Sequence, residues 1–197
     1  MISHPSICIY YDTLTGVYTR STTRLTLRDL LASDLPHFYA LASHPDVVRF
    51  QTFIRCEDEA QAAEFLKNSA FYNAQQPRRV YNLAILRQTD GAWLGWFGMG
   101  PPSDPAHGDL DFGYAILPQY WGQGYMTEAL TALLDFAFTN LPVNSIYAEC
   151  DQLNPASARV LERAGLRLER AYDEVDETTG VICTMLRYRV LRAEWKG

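Results

Sequence analysis

Residues 109–138 constrain the fold more than any other stretch of the chain. The run "DLDFGYAIL" (109–117) has the density of apolar residues that suits a strand. Pro118 follows at once and cannot donate to a sheet ladder, so strand pairing must be disturbed there. From Met126 onward, Met126, Leu130, Leu133, Leu134, Ala137 and Phe138 form a one-sided helical stripe. Between strand and helix stand Gly122 and Gly124. Glycine costs a helix start entropy and offers no side chain in return. The usual compensation is close approach of the backbone to a partner, and at a helix N-terminus that partner is often an anion. Whatever the fold, it must present this turn at the end of a strand.

The flanking sequence supplies the rest of one layered domain. "RLTLRDL" (24–30) alternates as a first strand, and two helical segments follow. One is "SDLPHFYALASH", with Ser33 or Asp34 as cap, and the other is "EDEAQAAEFLKNSAFYN" with its acidic start. "VYNLAILRQ" and "AWLGWFGMG", joined by "TDG", read as a hairpin. "SIYAEC" (145–150) is a further strand. Asn154-Pro155 then caps a short helix that Gly165 ends, and two last strands flank "DETTG". The order predicts a single mixed α/β sheet domain over residues 23–197. Residues 1–22 read equally as a small hairpin or a flexible extension.

Composition excludes several classes of function. A chain of 197 residues, 48% of them apolar, suits one core, and a formal charge of -6 argues against binding nucleic acid. Cys8, Cys56, Cys150 and Cys183 form no CxxC, and His4, His37, His44 and His107 form no HExxH, so no metal is expected. No apolar run approaches the roughly 18 residues a membrane helix needs, and no basic-then-apolar signal opens the sequence; a soluble, cytoplasmic protein with no membrane partner is the expectation.

Three phosphate-binding patterns compete for the glycine turn. A P-loop needs GK followed by Ser or Thr, which is missing, and a dinucleotide fingerprint needs a glycine where Thr127 stands. Gln119-x-x-Gly122-x-Gly124 remains, and it resembles the Q/R-x-x-G-x-G/A motif of the GNAT superfamily of acyl-CoA-dependent N-acetyltransferases. "YWGQGYMTEAL", "GYAIL", Asn154-Pro-Ala-Ser157 and "ARVLERAGL" are most similar to the branch of RimJ/RimL-type ribosomal-protein N-terminal acetyltransferases, over roughly residues 24–195. The resemblance implies a GNAT fold: a single central, mostly antiparallel twisted sheet of about seven strands, splayed in the middle and flanked by about four helices. It implies acetyl-CoA as co-substrate, with the pyrophosphate held by backbone N–H groups over Gln119, Gly122, Gln123, Gly124 and Tyr125. Asn154 and Ser157 would meet the pantetheine arm, which would pair like an added strand beside Ile116 and Leu117. The oxyanion donor would be a backbone N–H around Leu117, where the strands part.

Acetyl transfer needs a neutral amine, support for the oxyanion and a proton for the departing thiolate. An α-amino group of pKa about 7.7–8.0 is neutral often enough at pH 7 for a modest carboxylate base to suffice, whereas a lysine side chain near 10.4 is not. Glu149 is the first candidate base, at an offset from Asn154 that some family members use; Asp111 is the runner-up. Many relatives carry a tyrosine seven positions after the asparagine as acid, but here that residue is Leu161. Ser157 matches a serine proposed for the role in the RimL-type branch. Trp93, Trp96, Phe97, Tyr120 and Trp121 read as core residues before they read as a substrate cage. Asp173, Glu174, Asp176 and Glu177 lie near the last hairpin, which borders the acceptor site in this family, and favour a cationic acceptor at modest weight. The expected activity is direct transfer of acetyl to a primary amine, foremost the α-amine of a peptide or protein N-terminus. A polyamine, amino acid or antibiotic is the alternative acceptor, a non-catalytic acyl-CoA-binding module is a competing class, and a homodimer is possible.

Overall fold

The computed structural model describes residues 9–11, 18–104, 108–175 and 180–196. His107, Asp176 and Glu177, singled out above, lie outside them, as do Cys8 and His4. The strands are β1 (Ile9–Tyr11), β2 (Tyr18–Ser21), β3 (Leu25–Asp29), β4 (Tyr81–Arg87), β5 (Trp93–Gly100), β6 (Leu110–Ile116), β7 (Ser145–Asp151), β8 (Arg167–Val175) and β9 (Ile182–Leu191). They form one nine-stranded sheet in the order β1-β2-β3-β4-β5-β6-β7-β9-β8. The count exceeds the expected seven because β2 pairs antiparallel with β3, which brings the short β1–β2 pair into the same sheet. The helices are α1 (Leu35–Ala42), α2 (Pro45–Val48), α3 (Glu59–Asn73), α4 (Tyr125–Asn140) and α5 (Pro155–Arg163). The fifth, beyond the four expected, is the single turn α2, started by Pro45 after His44.

Local chemistry explains most of the boundaries. Asp58 Oδ1 accepts from Gln61 N–H and caps α3, and Asn154 Oδ1 accepts from Ser157 N–H and caps α5. Asp34 sits at the start of α1, but its carboxylate makes no cap bond there; it is bidentate to Arg28 at 2.7 Å and also takes Leu31 N–H. The Arg28 guanidinium and the upstream Leu31 N–H together hold the carboxylate away from the first turn of α1.

Apolar side chains bury on both faces of the sheet. On one, α4 and α5 cover Leu25, Leu83, Phe97, Phe112, Ile146 and Ala148, with Leu130 and Leu133 among the fully buried side chains. On the other, α1 and α3 cover Ala84, Trp96 and Ala115. Trp93, Trp96 and Phe97 are core residues, as their sequence setting implied.

The one parallel contact among the described residues positions the site. β6 and β7 pair through Leu110–Ile146 and Asp111–Tyr147 alone, although both strands run on for several residues. Beyond Asp111 they diverge, while β5–β6 and β7–β9 stay laddered on either side. The sheet is split at its centre.

Candidate active site

At the wide end of the split, the chain leaves β6 through Pro118–Tyr120 and turns into α4. Gly122 (φ 72°) and Gly124 (φ 77°) are both left-handed, a region open to glycine and strained for other residues. A Cβ on Gly122 would meet nothing within 4 Å, so the glycines serve backbone conformation and outside access rather than internal packing. Gln119 and the residues from Gly122 to Gly124 are exposed. Among the described residues, nothing accepts the N–H groups of Gly122, Gln123, Gly124, Tyr125 or Met126; the first bond of α4 runs from Glu128 N–H to Gly124 C=O. The result is a cluster of free donors at the positive end of a sixteen-residue helix. Arg24, which the sequence did not single out, braces the turn. It donates to Gln123 C=O at 3.0 Å, pairs with Glu128 at 2.6 Å and lies over the Tyr125 ring.

Inside the split, side chains sort by strand alternation onto two faces. On the α1/α3 face stand Asp111 of β6, Tyr147 and Glu149 of β7, and Arg187 of β9. Arg187 lies opposite Glu149 in register and reaches its Oε1 at 2.7 Å, while Tyr172 O–H donates to the same oxygen. The Arg187 side chain is 4% exposed and lies over the Tyr147 ring. Glu149 is thus oriented through one oxygen, and its Oε2 has no protein partner among the described residues. Among the described residues, the Asp111 carboxylate has one contact, a long one of 3.5 Å from Tyr147 O–H. Burial pushes its carboxyl above the ordinary range; the Tyr147 hydroxyl opposes this and the Glu149 charge adds to it.

On the opposite face stand Tyr114 of β6, Cys150 of β7 and Ser157 at the start of α5. Ser157 Oγ and Tyr114 Oη are 2.8 Å apart. Leu161, seven positions after Asn154, is fully buried in the core.

One cleft of about 960 Å³ reaches both sets, being lined by Asp111, Glu149, Tyr114 and Ser157 among others. Its rim carries Phe53 (62% exposed) and Tyr72 (49% exposed). The N–H of Leu117, near which an oxyanion donor was expected, does not face the split. Leu117 N–H is committed to Leu94 C=O at 2.9 Å, so alternation along β6 turns the N–H groups of Ile116 and Tyr114 toward the split instead. The Ile116 carbonyl is taken by the Trp121 indole N–H at 2.6 Å, which fixes a half-exposed ring beside the turn. Asp173 is occupied by Thr184, and Glu174 lines the cleft.

The sequence brought Asp111, Glu149, Asn154 and Ser157 into view but missed Tyr114, Arg187, Tyr172 and Arg24. Strand alternation placed Tyr114 on the Ser157 side only once α5 was known to pack there. Among the described residues no cluster of His, Cys, Asp and Glu suits a metal, and no helix is long and apolar enough to cross a membrane.

Comparison with known proteins bears on the fold and the family. An uncharacterised N-acetyltransferase, p20 of Bacillus licheniformis, is 25% identical over 179 residues, spanning 91% of this chain and 99% of its own. Spermidine N-acetyltransferase from Vibrio cholerae, solved with CoA and spermine, superposes with a TM-score of 0.73 at 20% identity, covering 88% of this chain and 98% of its own. The Salmonella typhimurium enzyme that modifies the N-terminal serine of ribosomal protein L7/L12 also gives 0.73, at 19% identity, covering 86% and 96%. The family described as "Acetyltransferase (GNAT) domain" matches residues 24–167, from the first residue beside the glycine turn to the start of β8. The chain belongs to the GNAT acetyltransferase family and is an acyltransferase.

Proposed function

We propose that the protein transfers acetyl from acetyl-CoA directly to the α-amino group of a peptide or protein N-terminus. The observation that carries this reading is the division of the split sheet: carboxylates on one face, hydroxyls on the other, and one cleft open to both. The amine enters on the carboxylate face, and the coenzyme lies along the split with its pyrophosphate on the donors of Gly122 to Tyr125. Ile116 and Leu117 border the pantetheine arm, and Asn154 and Ser157 meet it from α5.

The two carboxylates divide the work. Asp111, raised by burial and weakly hydrogen-bonded, accepts the proton of the attacking amine better than Glu149 does, because Oε1 of Glu149 is already engaged by a guanidinium and a phenol. The open Oε2 of Glu149 receives the incoming ammonium. This reverses the order read from the sequence, where Glu149 came first. An α-amine, with pKa about 7.7–8.0, asks little of such a base. A small polycationic amine is the second reading, favoured by Asp151 and Glu174 joining Asp111 and Glu149 along the cleft.

A competition assay with acetyl-CoA and three acceptors separates these readings: a peptide with a free N-terminus, an N-blocked peptide carrying lysine, and spermidine. The free N-terminus is expected to be acetylated fastest. Preference for spermidine selects the second reading, and preference for the blocked lysine peptide overturns both, since it demands a stronger base than the cleft contains.

A further inference from the structure

We propose that Tyr114 is a positioning residue for the departing thiol: its phenolic O–H donates to Ser157 Oγ and so aims the Ser157 hydroxyl proton at the coenzyme sulfur. The proposal rests on the reading of Ser157 as the group that meets that sulfur, and it answers how the site works with Leu161 in the acid's usual place. The phenol is supplied from β6 instead of α5.

Two hydroxyls 2.8 Å apart share one hydrogen bond and leave one proton to give elsewhere. Which one remains is set by what surrounds the pair. Burial raises the Tyr114 phenol well above its ordinary value, so it keeps its proton at every working pH and has it to donate; Ser157 Oγ at 2.8 Å is a far better-placed acceptor for it than Ser157 C=O at 3.4 Å. The other near neighbour of Ser157 is Cys150 of β7, whose thiol burial pushes up to about 11; it stays neutral and is a poor acceptor. Glu162 of α5 is held by Tyr188 O–H at 3.1 Å. Asn154 Oδ1 fixes the Ser157 backbone, and Ser157 lines the cleft, so its hydroxyl proton can be turned toward the coenzyme.

The step balances without a protein acid. The amine lone pair forms the C–N bond, and the C–S pair leaves on sulfur. The Ser157 O–H hydrogen-bonds the thiolate as charge builds there. The proton lost by nitrogen passes through the cleft carboxylate and water to sulfur, while Ser157 and Tyr114 keep their own protons.

Two measurements test this on Tyr114→Phe, Ser157→Ala and the double variant. The first is turnover: each single change is expected to lower kcat about tenfold, with affinity for CoA by calorimetry kept within about twofold. The double variant should be no slower than the worse single variant by more than about twofold, because the residues act as one unit. The second needs no acceptor: the thiol of bound CoA, titrated by the ultraviolet absorption of its thiolate, should ionise at lower pH in the wild type than in any of the variants. Losses that multiply, or a Tyr114→Phe thiol titration equal to wild type, overturn the proposal. If Tyr114→Phe fails to fold, Tyr114→Met, which also removes the phenol and keeps apolar volume, takes its place in the same titration. Wild-type protein that binds CoA but acetylates no amine counts against the proposed function alone, since the titration still reads Tyr114.

Discussion

Asp111 shows at the scale of one residue how function and stability oppose each other. Its carboxyl is raised by burial, so the folded chain binds that proton more readily than the unfolded chain does. Stability therefore falls as pH rises from the ordinary carboxylate value through the raised one, and the deficit persists above it. Asp111→Asn is expected to melt higher than wild type at pH 7, with the gap closing below about pH 4. The same change should cost turnover, most above the raised carboxyl value, where wild-type Asp111 is ionised and can accept the amine proton. Melting curves and kcat/KM against pH check both halves, and a lower melting point for Asp111→Asn at pH 7 contradicts the assignment of strain. Period-two alternation let the sequence place Glu149 opposite Ala148 and Cys150. It did not reveal Arg187, which arrives from β9 through a register that depends on both strands. Side chains that act through a partner on their own element were legible; those whose partner lies across the sheet were not.

At the scale of elements, the strand–turn–helix unit was legible because its signals are local. The glycine pair, Asn154 before Pro155 and Asp58 before α3 each act within a few residues. The split was legible only in outline. Pro118 suggested it, yet the β6–β7 ladder ends at Asp111–Tyr147, well before the proline, so the divergence belongs to the geometry of the two strands. Gly124→Val tests the turn. The substitution forces a β-branched residue to φ near 77° and places bulk over the free N–H cluster, where the only protein atom near the new Cβ is Arg24 Nη2 at 3.6 Å. CoA affinity is expected to fall at least about tenfold while the melting point drops modestly, since local strain of this kind costs of order 1–3 kcal/mol. A folded Gly124→Val protein with unchanged calorimetric affinity removes the pyrophosphate from this turn.

At the scale of the whole molecule, the open question is what β2 contributes, because the family match begins only at residue 24. Two strands that merely lengthened an edge could be removed without consequence. The packing indicates otherwise. Tyr18 is 4% exposed and meets Tyr81 and Phe136 edge-on, with ring centroids 5.6 and 5.1 Å away. Its backbone N–H donates to Asp29, whose carboxylate also takes two bonds from Arg78 across a largely buried ion pair. Phe136 is on α4, so β2 ties the sheet to the helix whose start forms the pyrophosphate turn. Thr22 ties it a second time, its hydroxyl donating to Glu128 in the first turn of α4 at 2.5 Å. Tyr18→Ala removes the aromatic contacts and leaves a cavity between sheet and helix, a change that costs about 3–5 kcal/mol at comparable buried aromatic sites. The denaturant midpoint is expected to fall accordingly, in one transition. CoA affinity of the folded variant should stay near wild type, because Arg24, Thr22 and Glu128 still brace the turn. A midpoint within error of wild type means that β2 is an appendage and that the fold's cooperative unit begins with β3.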